Sequence, residues 1–197
     1  MKTLSKKEEE VLLFLFKDYS NNYNANSLSK IIKITTRGAL KILKNLKSQN
    51  LLVSKQFGKA TFYKINFKEE YALKLLSAFL FKESKEKASR WISDIKEVFP
   101  DIEIIIIFGS IIKDYEKAND VDMVLVFKKQ NYTKIMNYIN QKNKILLKPI
   151  HSIIQTPSDI EKNLKKKDPV IINALSQGYV LHGFDKLIEV VKDVTSF

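Results

Sequence analysis

Apolar positions in the first third of the chain recur at helical spacing and then switch to alternation. Behind the capping box Ser5 and Glu8, Val11, Leu12, Leu15 and Phe16 repeat every three or four residues and predict a helix over about 5–19. The polar run SNNYNAN ends it. Ser27 is the predicted N-cap of a short second helix carrying Leu28, Ile31 and Ile32, and Thr35 or Thr36 caps a third that runs to about Ser48. On that third helix, Ala39, Leu40, Leu43 and Leu46 are assigned to the packed side and Arg37, Lys41, Lys44 and Ser48 to the other. Leu51–Phe57 and Ala60–Phe67 then read as two strands about a turn at Gly58-Lys59, with Thr61, Tyr63, Ile65 and Phe67 sharing one face.

Residues 68–98 contain neither Gly nor Pro and predict one long or two shorter helices, with Leu73, Leu76, Phe79, Leu80, Trp91, Ile95 and Val98 apolar and a polar middle at KESKEK. Pro100 closes this region. Ile102–Phe108 is almost continuously apolar, as a buried central strand requires, and ends in Gly109-Ser110. A helix starting at Ser110 and broken near Asn119 is expected next, followed by a second buried strand, Asp120–Phe127. Asp120 and Asp122 lie two apart on it, so their carboxylates point to one face. Carboxylates held side by side repel unless a cation lies between them, and such oxygen pairs suit Mg2+ that also carries phosphates. Beyond them, Thr156-Pro157-Ser158-Asp159 and Asp168-Pro169-Val170 open two helices, Gln177-Gly178 closes the second, and Tyr179–Leu181 forms a short strand before the turn at His182-Gly183.

Composition narrows the function classes. The 197 residues are 45% hydrophobic and 28% charged, a globular balance that excludes disordered and collagen-like chains. Absence of Cys excludes disulfides, a thiolate nucleophile and Cys-held zinc or iron–sulfur clusters, and points to a reducing compartment. Two His, at 151 and 182, argue against a His-based metal site. MKTLSKKEEEVLL is charged before any long apolar run, and no stretch of about 18 uncharged apolar residues occurs, so neither a signal peptide nor a membrane helix is expected and the location is read as cytoplasmic.

The net charge of +12 is unevenly placed. Residues 1–67 hold 13 basic and 4 acidic residues, whereas 101–197 hold 14 and 12. No carboxylate stands between Tyr19 and Lys68, a span carrying Lys30, Lys33, Arg37, Lys41, Lys44, Lys47, Lys55, Lys59 and Lys64. A polyanion partner for this segment follows.

Three helices and a hairpin, with the run LSKIIKITTRGALKILKNLKSQNLLVSKQFGKATFYKI, resemble the winged helix-turn-helix regulators of archaea and bacteria. The resemblance implies that the third helix enters the major groove of double-stranded DNA and the hairpin lies along the backbone. Arg37, at the helix start with Thr36, is then the residue able to pair bidentately with a base, and Lys41, Lys44, Lys55 and Lys59 are phosphate contacts. The helical connector either forms a homodimer, the preferred reading, or packs on the C-terminal domain.

Phe108-Gly109-Ser110, nine intervening residues and Asp120-Val121-Asp122 resemble the signature of the DNA polymerase beta-like and minimal nucleotidyltransferases. The resemblance implies that Gly109, Ser110 and Lys113 hold the phosphates of an ATP-like nucleotide while Asp120 and Asp122 hold Mg2+. The chain departs from that pattern in two places. No Gly follows Gly-Ser, leaving Lys113 or Lys117 as basic substitutes, and the third carboxylate expected on a following strand is missing from 144–155. His151 is the group there that titrates near neutrality, and on an Ile-rich strand it is read as a satisfied structural residue.

The expected architecture is therefore α+β: a winged helix over 1–67, a helical connector over 68–99 and a nucleotidyltransferase-like α/β domain with a mixed sheet over 100–197, as in archaeal proteins that fuse these two parts. The preferred function is a DNA-binding transcriptional regulator whose second domain binds Mg2+-nucleotide or serves as scaffold. Alternatives are an active nucleotidyltransferase that moves a nucleoside monophosphate onto a protein or small molecule, and an antitoxin-like interaction module.

Overall fold

The capping box forms as the sequence requires. The Glu8 amide donates to Ser5 Oγ at 3.4 Å, the Ser5 amide donates to Glu8 Oε2 at 2.8 Å, and α1 runs Lys6–Lys17 with Val11, Leu12, Leu15 and Phe16 buried. The computed structural model describes residues 3–195, and the chain divides inside its longest helix into an N-terminal unit reaching Phe79 and a C-terminal unit, Leu80–Val194.

In the N-terminal unit, α2 is Ala25–Ile31 and is capped by Asn24 rather than by Ser27. Asn24 Oδ1 accepts from the Ser27 amide at 2.9 Å while Ser27 Oγ accepts from the Asn24 amide at 3.0 Å, so Ser27 completes a box begun three residues earlier. Helix α3, Thr36–Ser48, starts at Thr35, whose Oγ1 accepts from the Gly38 amide at 3.1 Å. Ala39, Leu43 and Leu46 are fully buried, but Leu40 is 36% exposed. The correction follows from the 100° step, which sets Leu40 about 60° from Arg37 and outside the arc shared by the other three. Strands β1, Leu52–Phe57, and β2, Ala60–Ile65, pair antiparallel with Phe57 opposite Ala60. The two-residue loop turns on Gly58, whose φ of 58° suits glycine. Tyr63 also donates its amide to Tyr23 O at 2.9 Å, so the segment between α1 and α2 adds a one-residue third strand to the hairpin.

Helix α4 spans Glu70–Ile95 with one non-helical residue, Ala88, just beyond the polar KESKEK stretch, and a 3-10 segment Lys96–Asp101 carries Pro100. The C-terminal unit is then built on a four-stranded mixed sheet in the order β5-β4-β3-β6. Strand β3 (Ile104–Phe108) pairs antiparallel with β4 (Val121–Val126) and with β6 (Tyr179–His182), and β5 (Ile150–Gln155) lies parallel to β4. Every residue of β3 is buried because the sheet is covered on both faces. Ile105, Ile107, Met123 and Leu125 meet Trp91 and Ile95 of α4 together with Ile135 and Ile139 of α5, Tyr132–Asn143. On the other face pack α6 (Pro157–Lys166), α7 (Pro169–Gln177) and α8 (Phe184–Val194), which contribute Ile160, Leu164, Ile171, Leu175, Leu187 and Val191. Among the described residues no helix is long and apolar enough to cross a membrane.

Candidate functional site

The C-terminal end of β3 and the N-terminal ends of β4 and β5 meet at one end of the sheet, because β4 runs antiparallel to β3 and parallel to β5. Phe108 sits opposite Asp122, and the next residue, Gly109, takes φ 85° and ψ −153°, a backbone region essentially reserved for glycine. A Cβ at this position would collide with Asp122 Oδ2 and stand 3.1 Å from Asp122 Cγ. Glycine is thus required twice, by the dihedral angle and by the carboxylate lying against it.

The helix expected to begin at Ser110 does not form. Ser110–Ile112 makes a single 3-10 turn, and Asp114 stops it by accepting the amides of Glu116 at 3.2 Å and Lys117 at 3.4 Å on its own Oδ1. A short acidic side chain that bonds the backbone ahead of it competes with helix continuation. The macrodipole expected behind a triphosphate is correspondingly reduced to one turn. Ser110 and Lys113 are exposed beside this turn.

The chain then returns toward β4 through a loop that is tied on two sides. Arg90 Nη2 donates to Tyr115 Oη at 3.2 Å, and its guanidinium lies 4.8 Å from the Tyr115 ring centre and 5.2 Å from that of Trp91. Lys148 Nζ lies 4.9 Å from the Tyr115 ring centre and donates to the carbonyls of Ala118 and, at 3.5 Å, Glu116. Arg90, Tyr115 and Lys148 were not legible as site residues. The signal available was a lone aromatic in a charged loop, whose partners lie 25 and 33 positions away in sequence.

Asp120 precedes β4 and Asp122 is its second residue, and both are partly exposed at the sheet end. In the parallel register Asp122 faces His151 of β5, and His151 Nδ1 lies 3.1 Å from Asp122 Oδ1. One ligand atom from each of Asp120, Asp122 and His151 falls within 4.8 Å of the others. This corrects two expectations. His151, read as a satisfied structural residue on an Ile-rich strand, has 68% of its side chain exposed and its partner is the Asp122 carboxylate, and the small number of histidines does not exclude one from the acidic cluster. The residues fit a divalent ion: opposite ligands on one ion at about 2.1 Å stand about 4.2 Å apart, comparable with the 4.8 Å within which the three ligand atoms already lie. Gly109 keeps the space beside Asp122 free of a side chain.

In the N-terminal unit, Thr36, Arg37, Lys41 and Lys44 are exposed on α3, and Lys55 and Lys59 are exposed on the hairpin. Thr36 Oγ1 lies 3.3 Å from Ser29 Oγ of α2, which fixes the start of α3 against its neighbour. On the hairpin, Lys55 Nζ lies 5.2 Å from the Phe57 ring centre, and Phe57 meets Phe62 edge-on at 5.8 Å.

Comparison with known families places both parts. The polymerase beta nucleotidyltransferase family matches residues 91–186, and the TBPIP/Hop2 winged helix domain matches residues 10–66. No curated protein and no solved structure gives a significant match.

Proposed function

The chain joins a winged helix domain to a polymerase beta-type nucleotidyltransferase domain, and on that premise we propose that it is a double-stranded DNA-binding transcriptional regulator whose second domain binds a Mg2+-nucleotide complex. The observation that carries the reading is the exposed set Arg37, Lys41, Lys44, Lys55 and Lys59 on α3 and the hairpin, in a stretch from Tyr19 to Lys68 without a carboxylate. Positive charge unopposed along about fifty residues draws a phosphate backbone and releases its counterions. Arg37 stands at the N-terminal end of α3, the part of a recognition helix that reaches base edges, and the lysines set register on the phosphates. The test is duplex binding by the whole chain at low salt, and its absence overturns the reading.

In the second domain, Asp120 and Asp122 hold the ion, and Gly109, Ser110 and Lys113 approach the nucleotide phosphates. A bound divalent ion supplies neutralisation of phosphate charge there. Gly109 lets the backbone come close, the Ser110 hydroxyl donates, and Lys113 adds a mobile positive charge.

A second reading, transfer of a nucleoside monophosphate from an NTP to a protein or small molecule, is favoured by one feature: the Asp120, Asp122 and His151 cluster sits beside the Gly109-Ser110 turn. In that reaction an acceptor oxygen bonds to the α-phosphorus as the bond to the β-phosphate oxygen breaks and pyrophosphate leaves. ATP labelled at the α-phosphate, incubated with the protein and cell lysate, separates the two readings. Label entering an acceptor, and lost with Asp122→Asn, establishes the enzyme, whereas nucleotide binding without transfer supports a sensor.

A further inference from the structure

We infer that His151 is a direct metal ligand and that the Asp120, Asp122 and His151 triad selects a first-row transition ion over Mg2+. The inference rests on the divalent-ion reading of the second domain and replaces Mg2+ there with an ion class that accepts nitrogen.

Register alone delivers the histidine. Strand β5 runs parallel to β4 with His151 opposite Asp122, so the imidazole stands next to the carboxylate at the same end of the sheet. A residue in this place is set by backbone pairing, not by a flexible loop, and its ring nitrogen already lies at hydrogen-bond distance, 3.1 Å, from Asp122 Oδ1. An ion that displaces that contact keeps the same two side chains and gains Asp120 as a third.

The chemistry of the donor set then decides the ion. Mg2+ is hard, takes oxygen donors almost exclusively and gives up water reluctantly. Imidazole is a borderline donor that suits first-row transition ions, whose affinities for mixed nitrogen and oxygen sites rise from Mn2+ toward Cu2+. Two carboxylates and one imidazole form a mixed set that rewards an ion accepting both donor types. Among the described residues these three form the one group of at least three Asp, Glu, His or Cys side chains close enough to share an ion. The stretch 144–155 holds no carboxylate to take the histidine's place.

The experiment uses the full chain and metal alone. Mn2+ binding is followed by electron paramagnetic resonance, with pulsed detection of nitrogen coupling, and Mg2+ is titrated as competitor. The expected result is Mn2+ bound at least about tenfold more tightly than Mg2+, with an imidazole nitrogen signature. His151→Ala removes the nitrogen signature and weakens Mn2+ about tenfold or more, and His151→Asp shifts the preference back toward Mg2+. Asp122→Asn weakens both ions. Because His151 is largely exposed, its variants are expected to keep the wild-type circular dichroism and melting curve. Equal binding of the two ions without nitrogen coupling, unchanged in His151→Ala, overturns the inference and leaves the divalent-ion reading intact. Absence of binding by both ions overturns both readings.

Discussion

Gly109 and Asp122 occupy each other's space: the carboxylate of Asp122 lies where a side chain on Gly109 would be, and Gly109 holds φ 85° with ψ −153°. Gly109→Ala is therefore penalised by about 1–3 kcal/mol of backbone strain and, in addition, by collision with the carboxylate. Asp122→Ala removes the collision but not the strain. In urea unfolding, the cost of Gly109→Ala should fall in the Asp122→Ala background, giving a clear coupling term. Equal costs in the two backgrounds would show that the two residues do not touch.

Lys148 ties the loop before Asp120 to the strand that carries His151, through the carbonyls of Ala118 and Glu116 and the ring of Tyr115. Lys148→Met keeps the aliphatic length and deletes the donor. Amide hydrogen exchange over 113–119 should accelerate, with about 1 kcal/mol lost in global stability. Lys148→Arg should restore slow exchange. If exchange in that loop is unaltered by Lys148→Met, the tie is not what orders it.

His182 stacks on Phe99 with ring centres 4.4 Å apart, and burial pushes its imidazole below the ordinary value of 6.5, opposed by a backbone hydrogen bond to Ile102. The folded state then binds fewer protons than the unfolded state as pH falls toward and below that value. The stability tied to this group is complete above about pH 6.5 and is lost progressively on acidification. His182→Phe, which retains the stack, should lose less melting temperature between pH 7.5 and 5 than the wild type. Parallel loss in both proteins would assign the acid sensitivity elsewhere.

What the residue pattern revealed, and what it hid, follows from how far each interaction reaches along the chain. Helices with a local cap, such as the one behind Ser5 and the one behind Thr156, are legible because partner and cap lie three residues apart. The strand before Gly109-Ser110 and the Asp120, Asp122 pair are legible for the same reason, as local runs and local spacing. Helix α5 begins at Tyr132 behind Asn131, whose side chain makes no cap, and neither it nor α8 was assigned from the sequence. The place of His151 depends on strand pairing across 29 residues, so its immediate neighbours, apolar or small, described a core strand and hid its position beside Asp122. Leu40 was misplaced because one helical step separates the packed arc from the exposed one.

Arg37 and the lysines should separate in a binding assay. Arg37→Ala should cost about 1–3 kcal/mol on the preferred duplex, isolated from a random pool, and little on unrelated duplexes. A uniform loss on every duplex would make Arg37 one more phosphate contact.

The most direct measurement of the DNA-binding account is fluorescence anisotropy of a labelled duplex titrated with the full chain at rising salt, for the wild type and for the Lys41→Ala, Lys44→Ala, Lys59→Ala triple variant. Three lost phosphate contacts should flatten the negative slope of log Kobs against log salt by about 2.7 in magnitude and weaken binding to all duplexes. Absence of duplex binding by the wild type at low salt, or an unchanged slope in the triple variant, would contradict it.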